Sequence, residues 1–133
     1  MRFLSIYKSE ETNQPPTLEH MTRMQQLIEE GMKGGWLIST EGCLPSAKGA
    51  RVRRSHGKTI VTDGPFTESK ELIAGFAILE AASKQEAIEL TQKFLDVVGG
   101  GECELRQVFT ASDAAPTHAV ETHAQLVEQM VKG

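Results

Sequence analysis

The segment at residues 63–71 reads DGPFTESKE and places several ionisable side chains around a turn. It follows directly after a β-branched run at residues 59–62. Gly64 frees the backbone, whereas Pro65 fixes its own φ angle and pushes the preceding residue toward extended geometry. This 63–71 loop therefore presents a carboxylate, an aromatic ring and an ammonium group from a preset backbone, which predicts a ligand pocket beside it.

Four side chains near this turn are candidate binding residues. Lys70 offers a point charge to a carboxylate or phenolate oxygen, and Glu68 offers a proton acceptor; an exposed ion pair is the alternative. Phe66 either walls an aromatic ligand or anchors the loop in the core. Arg53 shares one hairpin face with Arg51 and would recognise an anion. The alternative for these arginines is a solvated hairpin whose charges prevent edge-to-edge pairing.

Composition limits the function classes. With 133 residues, 39% of them hydrophobic, the chain fits one globular domain. A formal charge of -4 argues against a nucleic-acid partner. The first apolar stretch is too short for a signal peptide or a membrane span, so we expect a soluble, cytoplasmic protein. No phosphate loop, dinucleotide fingerprint or zinc motif occurs, and we therefore expect neither a cofactor nor a metal.

Hydrophobic periodicity predicts two helices in the main body. The first begins at the N-cap Thr17 and ends at residues 34–35, and the second begins at a capping box on Ser83 and ends at residues 99–101. The apolar stripe of the first helix, which we expect to pack in the core, consists of Leu18, Met21, Met24, Ile28 and Met32.

Strands are predicted at residues 2–8, 36–40, 72–79 and 102–109, with a hairpin at 51–62 that turns at His56 and Gly57. The run at 72–79 is apolar at almost every position, which is typical of a central strand buried on both faces. The order of elements is βαββαβ with an inserted hairpin, which predicts an α+β, ferredoxin-like fold.

Two helices cover only one face of such a sheet, so an apolar second face needs another cover. We therefore predict a homodimer that packs sheet against sheet. The same topology places Cys43 and Cys103 on opposite edges of the sheet, and we expect both to be reduced thiols.

Residues 1–112 form the predicted domain, and residues 113–133 a linker followed by an amphipathic helix. That helix would begin at the candidate N-cap Thr117 and pack on the body or on the partner. A frayed tail is the alternative, because an isolated helix this short is marginal in water. Its apolar positions are Val120, Ala124, Val127 and Val131.

The 63–71 loop resembles the signature DGPFAETKE of the bacterial DGPF family, within the YCII-related superfamily. Seven of the nine positions agree, and the two departures, Thr67 and Ser69, are both small residues. Residues 51–53 and 57–59 also resemble the hairpin of that family. The resemblance runs from residue 3 to residue 108 and implies a dimeric α/β barrel of ferredoxin-like protomers.

The resemblance also implies a catalytic pair. In the YciI branch a histidine on the first helix and an aspartate are proposed to act together, and His20 stands at the similar helix position, where the DGPF branch often lacks a histidine. Asp63 would accept one ring N–H of His20 and leave the other ring nitrogen as a general base. The alternatives are that Asp63 only caps the turn and that His20 bonds solvent or backbone.

Two function classes follow. The first is a cofactor-free small-molecule enzyme that performs an elimination or isomerisation with His20 and Asp63. The second is a non-catalytic, ligand-binding or regulatory dimer, because many DGPF proteins resemble partners encoded beside extracytoplasmic-function sigma factors. In that case Glu68 and Lys70 would recognise a ligand and not transform it.

Overall fold

The computed structural model describes residues 1–12, 14–113, 125–128 and 130–131. The elements in the described part are β1 (Arg2–Ser9), α1 (Leu18–Gly34), β2 (Leu37–Gly42), β3 (Ala50–Ser55), β4 (Lys58–Asp63), β5 (Leu72–Glu80), α2 (Lys84–Val98) and β6 (Glu102–Gln107). Short 3-10 turns lie at Ser46–Lys48 and Ala111–Asp113. Among these residues, no helix combines the length and apolar character that crossing a membrane requires.

The main sheet has the strand order β2-β5-β1-β6 within the described residues, and all of its neighbouring strands are antiparallel. With β3 and β4 set aside as a separate hairpin, this is the ferredoxin-like βαββαβ arrangement. The predicted fold class is therefore confirmed. The first and third main strands are central, as the apolar pattern of β5 predicts.

Both helices begin and end at the predicted residues. The Thr17 side chain accepts a hydrogen bond from the His20 backbone N–H at 3.1 Å, and Gly35 ends α1 in the left-handed conformation. Ser83 caps α2 in the same way, and Gly99 ends it with a φ of 83°. The Thr17 cap fixes the first turn of α1, which carries His20.

The inserted hairpin turns at His56 and Gly57, whose φ angles are 49° and 78°. Two successive positive φ angles are the requirement of a tight type I′ turn, so the predicted turn is confirmed. Every residue of β3 and β4 is exposed to solvent.

The core lies at one end of the face that the helices cover. Phe3 on β1 pairs with Leu79 on β5, which in turn pairs with Leu37 on β2, and all three are buried together with Ala87 of α2. Large apolar side chains therefore fill the space between helices and sheet at this end.

On β2 and β5, the side chains of the same face become smaller toward the other end of the sheet. The next row across the strands is Thr40, Ala77 and Ser5, and the row after it is Gly42, Gly75 and Tyr7. Small residues facing the helices cannot fill the interlayer space, so this end of the fold should contain cavities.

The stripe of α1 is the main departure from the predicted core. Leu18 is 76% exposed and Met21 is 48% exposed, and Met32 is also exposed, whereas Met24 and Ile28 are half-buried. The prediction of a continuous core stripe is therefore wrong for the single chain. Met21 lines a cavity together with Gly42, so open space and not a packed core lies beside it.

The uncovered face of the sheet is also apolar at its centre. Leu4 pairs with Ile78 and Ile6 pairs with Phe76, and all four are half-buried. Ile73 of β5 is 57% exposed. The buried residues of β5, Gly75 and Leu79, therefore both lie on the helix side, so in the single chain the predicted burial on both faces is not met.

The predicted C-terminal helix falls partly outside the described residues, which exclude Thr117, Val120 and Ala124. Residues 125–128 and 130–131 are helical, and Val127 and Val131 are exposed. Its packing on the body stays a prediction.

Candidate ligand-binding site

Two cavities open between α1 and the small-residue end of the sheet. The inner cavity has a volume of about 420 Å³ and the outer cavity about 610 Å³. Their walls have four residues in common, which are Met24, Ile28, Gly42 and Ala74. The two cavities therefore adjoin at the glycine row.

The wall of the inner cavity contains aromatic rings and hydroxyl groups that already donate hydrogen bonds to backbone carbonyls. Tyr7 and Phe94 meet edge to face with ring centroids 4.9 Å apart, and the Tyr7 hydroxyl donates to the Gly100 carbonyl at 2.7 Å. The Thr40 hydroxyl donates to the Phe76 carbonyl at 2.9 Å. Because these polar groups are already engaged, the inner cavity suits an apolar group.

The outer cavity is walled partly by ionisable side chains. His20 lines it and is half-buried, and the cavity wall also includes Glu10, Glu11 and Cys43. The Glu11 carboxylate accepts hydrogen bonds from the Ser46 backbone N–H and, at 2.9 Å, from the Ser46 hydroxyl. Within the described residues, no cluster of His, Cys, Asp and Glu is arranged to hold a metal ion.

Neither cysteine is in a disulfide. Burial raises the pKa of the Cys103 thiol above its ordinary value, and a hydrogen bond with Ser5 opposes that rise only in part. A raised pKa favours the protonated thiol, so Cys103 is poorly suited to act as a nucleophile. Cys43 is exposed and follows the end of β2.

The 63–71 loop is attached to the body through Ser46. The Phe66 backbone N–H donates to the Ser46 hydroxyl at 3.1 Å, and the Gly64 N–H donates to the Gly49 carbonyl at 3.0 Å. A Cβ on Gly64 would overlap the Ser46 carbonyl oxygen, so only glycine allows this close approach. The Gly64–Pro65 peptide bond is cis.

Arg51 of β3 holds the other side of the loop. Its guanidinium lies 3.9 Å from the centroid of the Phe66 ring, forms an ion pair with Glu68 and donates to the Ser69 hydroxyl at 3.1 Å. The hydrogen bond from Arg51 holds the pKa of the Glu68 carboxyl below its ordinary value. Phe66 thus packs against an arginine, and Glu68 is in the exposed ion pair that the sequence offers as an alternative.

A third cavity, the loop cavity, lies beside this cluster and has a volume of about 340 Å³. Phe66, Lys70 and Ser69 line it. It shares Glu10, Glu11 and Leu72 with the outer cavity. The loop therefore borders the same region as His20, with the two glutamates between them.

A family model described as the YCII-related domain matches residues 1–111. The chain belongs to the YCII-related family. A further match is an uncharacterised protein of Rhizobium meliloti (strain 1021), 43% identical over 61 residues, which are 46% of this chain and 49% of that protein. The match thus spans about half the length of this curated relative.

A solved structure also resembles this YCII-related chain. It is the 5-chloro-2-hydroxyhydroquinone dehydrochlorinase of Burkholderia phenoliruptrix AC1100, in complex with 2,5-dihydroxybenzoquinone. The TM-score is 0.45 at 13% sequence identity, over 86% of this chain and 100% of that chain.

The predicted catalytic pair of this YCII-related domain is divided between two places. His20 lines the outer cavity, whereas Asp63 is exposed at the end of β4, opposite Ala50. Among the described contacts, no hydrogen bond joins the two side chains. The pairing of His20 with Asp63 stays a prediction.

Arg51, and not Arg53, contacts the 63–71 loop. Arg53 lies opposite Ile60 in the hairpin register and is exposed. Alternation places both arginines on one hairpin face, and the sequence alone does not indicate which of them is nearer the loop root. Anion recognition by Arg53 stays a prediction.

Sequence reasoning missed the residues that create the cavities and attach the loop. Gly75 interrupts an otherwise apolar strand, and together with Gly42 it leaves the interlayer space open. The break in the apolar run at Gly75 is the signal that could have indicated this. Glu11 and Ser46 carry no such signal, because their contact joins segments that are 35 residues apart.

Proposed function

We propose that this YCII-related protein is a cofactor-free small-molecule enzyme whose substrate occupies the inner and outer cavities. One observation carries the proposal: His20 lies on the wall of an outer cavity that adjoins an apolar inner cavity. An apolar pocket with a few convergent polar groups is the usual form of a small-molecule site. Elimination or isomerisation by proton transfer fits these groups.

His20 acts as the general base. Its backbone is fixed by the Thr17 cap, so the imidazole starts from a defined turn of α1. Histidine exchanges protons near neutral pH, which a proton-transfer step requires.

A carboxylate assists His20 by orienting the ring or by receiving the proton. Glu11 already accepts two hydrogen bonds from Ser46, which leaves Glu10 as the better candidate among the glutamates that line the outer cavity. Asp63 is the alternative that the family resemblance implies. Glu10→Gln and Asp63→Asn separate these two candidates, because only the true partner should lower kcat.

The test is a turnover screen of the purified full chain against lactones, halogenated quinols and enolisable ketones. His20→Asn should abolish turnover of any substrate found. His56→Asn, at the exposed hairpin tip, is the matched control and should retain it, because asparagine tolerates the positive φ angle of that position. Full activity in His20→Asn would overturn the assignment.

Non-catalytic ligand binding is the second candidate. The inner cavity favours it, because the hydroxyls of Tyr7 and Thr40 in its wall already donate hydrogen bonds to backbone carbonyls. Ligand binding without turnover across the screen would select this function. A sigma-factor partner stays a prediction from the family resemblance.

The partner proposed for either function is a second copy of this chain. Support comes from the uncovered sheet face, where Leu4, Ile6, Phe76 and Ile78 form an apolar centre. A dimer that packs sheet against sheet would remove these side chains from water.

A further inference from the structure

Gly42 lines both cavities, and Gly75 lines the inner one, so the two cavities meet beside this pair of glycines. Gly42 and Gly75 lie opposite each other in the β2–β5 register, and the facing residues of α1 are Met24 and Ile28. A Cβ on Gly42 would meet no atom within 4 Å, so the space beside this residue is open. A Cβ on Gly75 would lie 2.8 Å from the Glu41 carbonyl oxygen, so Gly75 is needed for strand packing as well.

The carboxylates around the two cavities have no lysine or arginine beside them in the cavity walls, as far as the described residues go. Those walls include Glu10, Glu11 and Glu41, together with His20. Lys70 lines the loop cavity but neither the inner nor the outer cavity. Arg51, on the hairpin, is paired with Glu68.

An anionic group in the outer cavity would therefore lose hydration without gaining a cationic partner, and it would lie near carboxylates. An uncharged or cationic group meets no such penalty. The inner cavity, with Tyr7 and Phe94 in its wall, suits an aromatic or other apolar body.

We propose that the substrate is an elongated, non-anionic molecule with an apolar body in the inner cavity and a neutral or cationic polar end beside His20. Gly42 determines the width of the passage through which the molecule spans both cavities. This inference rests on the proposed function and adds to it a substrate class and a specificity-determining residue.

The charge preference is tested with three probes that share one body, namely 4-phenylbutan-1-ol, 4-phenylbutylamine and 4-phenylbutanoate. Calorimetry or NMR titration of the full chain at pH 8 should give a Kd at least about tenfold higher for the carboxylate than for the alcohol and the amine. Equal binding of the carboxylate would overturn the charge preference.

Reversing one charge at the outer cavity gives a second measurement of the same preference. Glu10→Lys should bring the affinity for 4-phenylbutanoate close to that for the alcohol. Glu89→Lys makes the same charge change on the exposed side of α2, outside the walls of these cavities, and should leave the order of affinities unchanged. The same response in both variants would show that net charge, and not the cavity, sets the preference, which would contradict the proposal.

The passage is tested by filling it. Gly42→Val should weaken binding of all three probes by about tenfold, and Gly42→Ala by less, because each adds volume where the wall is open. Gly100→Ala is the matched control, since a Cβ there also meets no atom within 4 Å and Gly100 lines neither cavity. Unchanged probe affinity in folded Gly42→Val and Gly42→Ala would overturn the role of Gly42.

These results are separable from those on catalysis. Loss of the charge preference together with loss of turnover in His20→Asn would reject the substrate class and leave the enzyme proposal in place. Retained turnover in His20→Asn together with the expected order of probe affinities would reject the role of His20 in catalysis and leave the ligand class in place.

Discussion

Gly64 is the residue of the 63–71 loop whose side-chain size is most tightly restricted. Gly64→Ala would force a Cβ onto the Ser46 carbonyl oxygen, which is backbone and cannot rotate away. We expect a loss of about 2 kcal/mol or more in the free energy of unfolding, measured by urea denaturation.

Gly49→Ala is a matched control for this change. Its Cβ would lie 3.6 Å from the same Ser46 oxygen, which is an ordinary contact, and the φ angle of Gly49 is -119°. Its stability should stay close to that of the natural chain. Equal losses in the two variants would contradict the argument from the Ser46 contact.

The Arg51–Glu68 ion pair predicts a pH dependence at the loop. The hydrogen bond from Arg51 lowers the pKa of Glu68 below its ordinary value of 4.5, so the ion pair favours the folded loop above that pH. This contribution is lost as the pH falls through the lowered pKa. Arg51→Ala should return the pKa of Glu68 toward 4.5 in an NMR titration of the side-chain carboxyl carbon.

Arg53→Ala serves as the comparison for that titration. Arg53 is on the same strand but has no described contact with the loop, so the pKa of Glu68 should not change in this variant. A larger shift in Arg53→Ala than in Arg51→Ala would reverse the assignment of these two arginines.

At the scale of elements, the caps link helix stability to the position of His20. Thr17→Ala removes the acceptor for the His20 backbone N–H and should cost about 1 kcal/mol in stability. The first turn of α1 should fray, and the proposed activity should fall with it.

Ser83→Ala removes the equivalent cap of α2 and should cost a similar free energy. Because α2 does not carry His20, the activity measured well below the melting temperature should persist. Stability is measured by thermal denaturation followed by circular dichroism, and activity is measured with the substrate that the screen identifies. Equal losses of activity in Thr17→Ala and Ser83→Ala would contradict the prediction, because the loss would then not depend on the position of His20.

The sequence predicts the elements well because their signals are local. The helix caps and the hairpin turn each depend on neighbouring backbone groups, as at Thr17, Ser83 and His56–Gly57. Their residue types therefore suffice to predict the cap or the turn. The decrease in side-chain size along β2 and β5 is different, since the space beside Tyr7 depends on Gly42 and Gly75 on other strands. The site is therefore only partly predictable, because strand register decides which small residues share a row.

At the scale of the molecule, the uncovered face predicts the oligomeric state. Ile78→Lys would place a charge at the centre of the proposed dimer interface, and sedimentation should show a shift from dimer to monomer. Val52→Lys, on the exposed hairpin, is the control and should remain dimeric. A natural chain that sediments as a monomer at all concentrations would overturn the homodimer proposal.

The inserted hairpin begins and ends at nearly the same place. The hydrogen bond from Gly64 to Gly49 closes its base at 3.0 Å, and the strands beyond that bond are exposed throughout. Its length is therefore not constrained by the main sheet, because residues added or removed at the tip leave both ends where they are. The hairpin is the part of this chain in which insertions and deletions should be tolerated best, and it offers a place to attach a tag or a reporter without disturbing the cavities.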